Sequence, residues 1–257
     1  MSIALEVRDV HKQFGGILAL DGVSLESHLS QVTAVIGPNG AGKTTLFNVI
    51  AGVHRPDRGE IYLMGNPLGN HPPQERVRMG IARTFQQALL FGNMTVLENV
   101  MVGLHTRSRC GFLSAAFRTP AFRREEEEVY LQAMHYLNLV GLGARAQHSA
   151  AILPFGQQRL LAIARALATK PFVLMLDEPG AGLNALEKAG LAELIARIRE
   201  TGLAILLVEH DMELVMHTAD RVVVLDYGQK IAEGTPSEVQ ANKKVIAAYL
   251  GEETDRC

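Results

Sequence analysis

The feature that most constrains this chain is a glycine-rich segment that directly follows a short apolar run. Residues 32–36 are mostly apolar and rich in β-branched side chains, which predicts a buried strand. The segment after them fits the pattern Gly-x-x-x-x-Gly-Lys-Ser/Thr at every required position, and a helix-forming run over residues 45–51 follows. The segment, called the P-loop below, consists of Gly37, Pro38, Asn39, Gly40, Ala41, Gly42, Lys43, Thr44 and Thr45. A strand, this loop and a helix in that order predict a phosphate-binding fold.

The residue types in the P-loop suit the binding of phosphate groups. Glycines let the backbone turn so that several N–H groups and a helix N-terminus point at anionic oxygen atoms. We expect Lys43 to place its charge at the β- and γ-phosphates and Thr44 to offer its hydroxyl to Mg²⁺. A P-loop does not by itself separate ATPases, GTPases and kinases, so the rest of the chain must do so.

Other short β-rich runs alternate with segments of helical period, which predicts an α/β fold with a largely parallel central sheet. Residues 172–176 and 204–208 are apolar at every position, as expected for strands covered by helices on both faces. Further strands are predicted at residues 3–7 and 221–225. Between the two apolar strands we predict one amphipathic helix. The residues expected on its apolar face are Leu183, Leu186, Leu191, Leu194, Ile195 and Ile198.

The stretch from residue 88 to residue 160 is helical rather than strand-like and contains an irregular segment at 107–120. Its clearest helix begins in the acidic run 125–128 and continues past Leu137. We predict an inserted α-helical subdomain. The predicted division is an ATP-binding core at 1–87 and 161–240, the helical subdomain at 88–160, and a C-terminal helix and tail at 241–257.

Polar clusters follow the two apolar strands at their carboxyl ends. Asp177 and Glu178 come after the first strand, and His210 comes after the second. Ligands of parallel sheets bind at this edge. We expect Asp177 to hold Mg²⁺ through its water shell, Glu178 to orient or deprotonate an attacking water, and His210 to reach the γ-phosphate. The alternative is an ordinary turn or helix cap for the carboxylates and a surface or capping role for the histidine.

Charge and cysteine content bear on the partners. The chain has 257 residues, a formal net charge of −2 and no long basic run, so nothing in its charge predicts a nucleic-acid partner. Its two cysteines, Cys110 and Cys257, lie far apart, which fits a reducing cytosol better than a disulfide scaffold. The apolar runs are too short to span a bilayer. We therefore expect membrane association through another protein.

Two more segments complete an ordered set of motifs. Gln86 ends the segment Arg83-Thr84-Phe85-Gln86, and Leu153-Pro154-Phe155-Gly156-Gln157 opens a helix before the acidic pair. In this order the motifs resemble those of the ABC ATPase family over nearly the whole chain. The resemblance implies a P-loop core with an antiparallel β subdomain and an inserted helical subdomain, and it implies ATP and Mg²⁺ as ligands.

The resemblance also implies roles for residues that no spacing rule would single out. Phe14 matches the aromatic that stacks on adenine, and Gln86 matches a glutamine that contacts Mg²⁺ and the attacking water. Residues 153–157 match the signature motif, in which Gly156 and Gln157 bind the nucleotide of a partner subunit. In this family two cassettes pair head to tail, so each ATP lies between the P-loop of one and the signature motif of the other.

The partners implied are a second ABC ATPase subunit, sister or self, and two transmembrane permease subunits. A periplasmic or surface substrate-binding protein is implied indirectly. The implied location is peripheral, at the cytoplasmic face of the inner (plasma) membrane.

Three residues depart from the family pattern. Pro154 and Phe155 stand where the signature motif usually has serine and its first glycine, and Asn184 stands where an aspartate is usual. Because a signature motif serves the opposite site, our hypothesis is that this chain weakens the ATP site of its partner more than its own.

A finer resemblance is to the larger, LivG-type ATPase of branched-chain amino-acid uptake systems. Urea, amide or aromatic-acid importers use similar ATPases, and a nucleotide-gated interaction module without turnover is an alternative of another class. A GTPase would need a guanine-reading Asn-Lys-x-Asp motif, which does not occur in the sequence. The segments that carry the finer resemblance are 83–86, 94–100, 179–184, 208–212, 231–236 and 248–251.

Overall fold

The structure, a computed structural model, describes residues 2–85, 89–105 and 120–254. Its contacts divide the chain into two compact units. The larger unit comprises the residues before Thr84 and those from Phe172 onward, and the helical unit is Thr84–Pro171. Gln86 and most of the irregular segment predicted at 107–120 lie outside the described residues.

The strands of the described chain all belong to the larger unit. They are β1 (Ile3–Phe14), β2 (Ile17–His28), β3 (Val32–Ile36), β4 (Arg58–Leu63), β5 (Asn66–Pro67), β6 (Ile81–Arg83), β7 (Val173–Asp177), β8 (Ala204–Val208), β9 (Arg221–Asp226) and β10 (Gln229–Gly234).

The α-helices that the structure describes belong to both units, and the third, fourth and fifth of them lie in the helical unit. They are, in chain order, α1 (Lys43–Ile50), α2 (Pro73–Met79), α3 (Val96–His105), α4 (Pro120–Leu139), α5 (Phe155–Ala168), α6 (Ala185–Glu200), α7 (Met212–Thr218), α8 (Pro236–Gln240) and α9 (Lys243–Thr254). Among the described residues, no helix combines the length and the apolar character that crossing a bilayer requires.

Two sheets build the larger unit. The central sheet has six strands in the order β10-β9-β3-β8-β7-β6, and every neighbouring pair is parallel except β9 with β10. The second sheet has four antiparallel strands in the order β2-β1-β4-β5. The predicted α/β fold with a mostly parallel sheet and an antiparallel subdomain is therefore confirmed.

Strands β3, β7 and β8 are buried at every residue. This confirms the prediction from their apolar sequences, because only a strand covered on both faces buries successive side chains. The prediction for α6 was partly wrong. Leu191, Leu194, Ile195 and Ile198 are buried, whereas Leu186 is 84% exposed because it lies outside the three- and four-residue spacing of that stripe.

The helical unit packs α5 against α3 and α4. Gly103 in α3 allows this close approach, since a Cβ atom there would lie 2.4 Å from the carbonyl oxygen of Arg165 in α5. The sequence placed the boundary of the helical subdomain at residue 160. That position lies inside α5, which continues without a break to Ala168, and the compact unit extends to Pro171.

Candidate functional site

The sheet brings three loops together at one edge. Strands β3, β8 and β7 are adjacent and parallel, so their carboxyl ends lie side by side. The P-loop follows β3, Asp177 ends β7 with Glu178 next to it, and His210 comes two residues after the end of β8. The larger unit thus places a phosphate-binding loop beside two carboxylates and an imidazole, at the edge where such sheets bind ligands.

Two P-loop glycines occupy positions that no other residue fits. Gly37 has φ +149°, and a Cβ atom there would lie 2.0 Å from the carbonyl oxygen of Leu225. Gly42 has φ +101° and is the N-cap of α1, and a Cβ atom there would lie 2.5 Å from the carbonyl oxygen of Ala19. Because these two positions have no side chains, the loop can pack against the neighbouring backbone. Its own backbone can then approach an anionic ligand.

The start of α1 is suited to an anion. Its N-cap, Gly42, has no side chain to cap the helix, and the first turn of the helix contains no acidic residue. Its N–H groups therefore carry the positive end of the helix dipole without a competing carboxylate. Lys43 lies in this turn with its Nζ atom 2.6 Å from the carbonyl oxygen of Gly37 and 2.7 Å from that of Pro38. Thr44 is exposed and Thr45 half-buried in the same turn.

Asp177 pairs with an arginine from the neighbouring strand. Arg83, at the end of β6, donates from Nη2 to Asp177 Oδ2 at 2.6 Å and from Nη1 to Asn48 Oδ1 at 2.7 Å. The two charged side chains are only 8% and 11% exposed. The motif at residues 83–86 does not by itself predict this contact. The available signal was a charged residue at the end of a short buried strand.

Glu178 lies on strained backbone. Its φ is +45°, in the left-handed region that non-glycine residues rarely adopt, and Pro179 follows it. Its N–H donates to the carbonyl oxygen of Val208 at 2.9 Å, which attaches this turn to the end of β8. Glu178 Oε2 lies 3.9 Å from His210 Nδ1, and both side chains are partly exposed. A carboxylate and an imidazole therefore open together toward solvent.

The other predicted site residues that the structure describes belong to β1 and to the helical unit. Phe14 ends β1, is 41% exposed and packs edge-on against His54 with the ring centroids 5.1 Å apart. Gly156 and Gln157 lie in the helical unit, in the first turn of α5, where the N-cap Pro154 provides no side-chain hydrogen bond.

Comparison with known proteins identifies the family of this chain. A family model described as "ABC transporter" matches residues 20–181. The chain belongs to the ABC transporter family. This ABC cassette therefore binds ATP, and the ATPase activity of its family is coupled to transport. A second model, described as "Branched-chain amino acid ATP-binding cassette transporter", matches residues 229–255.

Curated relatives and solved structures agree with this assignment over nearly their full length. The cassette is 47% identical to the high-affinity branched-chain amino acid transport ATP-binding protein BraF of Pseudomonas aeruginosa and 45% identical to LivG of Escherichia coli. Each match covers 96% of this chain and 98% of the relative. The structure of a nucleotide-free ATP-binding cassette from an ABC transporter is 34% identical, with a TM-score of 0.83, covering 96% of this chain and 98% of that one.

Proposed function

We propose that this cassette powers the import of branched-chain amino acids by binding and hydrolysing ATP. The observation that carries the proposal is its near-full-length similarity to two proteins named for branched-chain amino acid transport. The separate match of residues 229–255 to a model of that transporter class supports it. The amino acid itself is expected to contact other subunits, because the described site consists of a phosphate loop and polar groups.

The groups at the carboxyl ends of β3, β7 and β8 have separate roles in the proposed hydrolysis. The nine residues of the P-loop and the N-terminus of α1 bind the phosphates, with the charge of Lys43 at the β- and γ-phosphates. Glu178 orients the attacking water or accepts its proton, and His210 reaches the γ-phosphate. Their separation of 3.9 Å supports this proposal, because both groups can face one bound phosphate and its attacking water.

Mg²⁺ is the metal that this site would use. The hydroxyl of Thr44 and the carboxylate of Asp177 are hard oxygen donors, and Mg²⁺ is usually held by one or two protein oxygens together with phosphates and water. When bound, Mg²⁺ would neutralise charge on the phosphate oxygens. We assign Gln86 to the contact with the metal and the water from the family resemblance alone.

The adenine and partner contacts complete the proposal. Phe14 offers a partly exposed ring for stacking on adenine. Gly156 and Gln157 bind the nucleotide held by a second ATPase subunit, sister or self, in a head-to-tail dimer. The dimer works on two transmembrane permease subunits at the cytoplasmic face of the membrane, and a substrate-binding protein acts through those permeases.

The test is ATP turnover of this cassette assembled with its permease subunits in lipid vesicles. The substrate-binding protein is added empty, loaded with leucine, isoleucine or valine, or loaded with urea, an amide or an aromatic acid. We expect stimulation by the branched-chain amino acids and none in a Glu178→Gln assembly. Stimulation only by another cargo would refute the branched-chain assignment. ATP binding without turnover in every assembly would favour the nucleotide-gated interaction module.

A further inference from the structure

A buried glutamate connects the two loops that carry Glu178 and His210. Glu209 directly follows β8 and is fully buried. Its Oε1 atom accepts a hydrogen bond from the N–H of Gly180 at 2.6 Å. Its Oε2 atom faces the N–H groups of His210 at 3.2 Å and Asp211 at 3.5 Å. One carboxylate thus holds the backbone on both sides of the site.

The contact with Gly180 is close enough to fix the position of its segment. A Cβ atom at Gly180 would lie 2.9 Å from Glu209 Oε1 and 2.8 Å from the side chain of Leu214. This contact lies two residues after Glu178, whose φ of +45° is unfavourable unless the surroundings impose it. This turn is attached to the end of β8 and the residue after it, because Glu178 N–H donates to the carbonyl oxygen of Val208 and Gly180 N–H donates to Glu209.

We propose that Glu209 is a positioning residue for ATP hydrolysis, which sets Glu178 and His210 relative to each other through the backbone of their two loops. The inference rests on the proposed function, since it assigns Glu209 a task only if those two residues act on ATP. Glu209 is not a catalytic residue, because its buried carboxylate faces backbone N–H groups rather than the open side of the site.

The two acceptor oxygen atoms of Glu209 suit this task. Burial raises the pKa of Glu209, and the hydrogen bonds from Gly180 and Asp211 and the charge of His210 oppose that rise. A carboxylate accepts hydrogen bonds at both oxygens, whereas a glutamine amide accepts at one end and donates at the other. Glutamine can therefore keep the contact with Gly180 only by placing its NH₂ group against the N–H groups of His210 and Asp211.

The experiment compares Glu209→Leu, Glu209→Gln and the control Glu213→Gln in the assembled transporter, with kcat, KM for ATP and ATP affinity measured for each. Glu213 is an exposed acidic residue in the first turn of α7, four positions further along the chain. We expect Glu209→Leu to lower kcat about 10- to 100-fold with KM for ATP changed less than about threefold, because misplacing reacting groups affects the chemical step and leaves the P-loop intact. Glu209→Gln should recover part of that loss, and Glu213→Gln should match the wild type.

Wild-type kcat in Glu209→Leu, or a raised KM for ATP with unchanged kcat, would overturn the proposal. If Glu209→Leu does not fold, the test rests on Glu209→Gln. A kcat of this variant equal to that of the wild type would overturn the proposal, because the carboxylate would then have only a structural role. Glu178→Gln is measured in parallel to separate the two levels of inference. Wild-type turnover in that variant would refute the proposed role of Glu178 and this inference with it, whereas loss of turnover there beside wild-type kcat in Glu209→Leu would refute this inference alone.

Discussion

The P-loop glycines are required for two separable reasons. Gly37 and Gly40 both have positive φ, but only at Gly37 would a Cβ atom strike the backbone, whereas at Gly40 it would enter open space. We expect Gly40→Ala to lower the free energy of unfolding by about 1–2 kcal/mol, the cost of left-handed backbone for a residue with a Cβ atom. Gly37→Ala should cost about 3 kcal/mol or more, because β9 must also move. Urea unfolding measures both, and equal losses would contradict this explanation.

The ion pair of Arg83 with Asp177 is also a residue-scale feature that can be tested. Arg83→Met would leave a nearly buried carboxylate without its guanidinium partner, which costs about 3–5 kcal/mol in comparable buried pairs. The matched control is Arg199→Met, because Arg199 pairs with Asp220 where both side chains are about one-third exposed. That control should lose no more than about 1 kcal/mol in urea unfolding. Similar losses in the two variants would show that burial does not strengthen the Arg83 pair.

Sequence reasoning located the residues with fixed local spacing and missed the contacts between distant residues. The P-loop pattern, the acidic pair and the histidine each follow an apolar strand, so parallel pairing alone puts them at one edge. Arg83 and Asp177 are 94 residues apart, and Gly180 and Glu209 are 29 residues apart. These partners are brought together by the order of the strands in the sheet, which differs from their order along the chain. Local sequence patterns do not reveal that spatial order.

At the scale of elements, a buried arginine caps the C-terminal end of α1. Arg76 in α2 is 1% exposed, and its Nη1 atom donates to the carbonyl oxygens of Val49 and Ile50 at the end of α1. Arg76→Met should therefore cost about 3 kcal/mol, because carbonyl groups at the helix end lose a charged donor. The control Arg78→Met, in the same helix but exposed, should change stability by less than about 0.5 kcal/mol. Equal melting temperatures would contradict this capping role.

The sequence predicts most accurately the strands in which every residue is buried. The predicted bounds of β3 and β8 match those of the structure, since an apolar strand between helices has a distinctive sequence. Strand β2 was not predicted, and β1 extends to Phe14 rather than ending at residue 7. The pairing of β1 with β2 contains four register shifts, and each shift interrupts the alternation on which strand prediction depends.

At the scale of the whole molecule, the signature residues predict unequal ATP sites in a heterodimer. Phe155 stands at the start of α5, where the family usually has glycine. The guanidinium carbon of Arg159 lies 4.8 Å from the centroid of the Phe155 ring. Asn184, in contrast, makes a complete capping box with Glu187 at the start of α6. When this cassette is paired with a sister ATPase and one catalytic glutamate at a time is changed to Gln, we expect slower hydrolysis at the site that its own signature motif serves. Equal rates at the two sites would refute the hypothesis.

The central claim is that the edge formed by β3, β7 and β8 hydrolyses ATP with Glu178 as its water-activating group. The most direct test is ATP hydrolysis and ATP binding by assemblies that contain wild-type cassette or Glu178→Gln. We predict that the variant hydrolyses ATP at least about 100-fold more slowly, the usual effect of losing a general base, while its ATP affinity changes less than about threefold. Hydrolysis by Glu178→Gln at the wild-type rate, or ATP binding without turnover in the wild type, would contradict the claim.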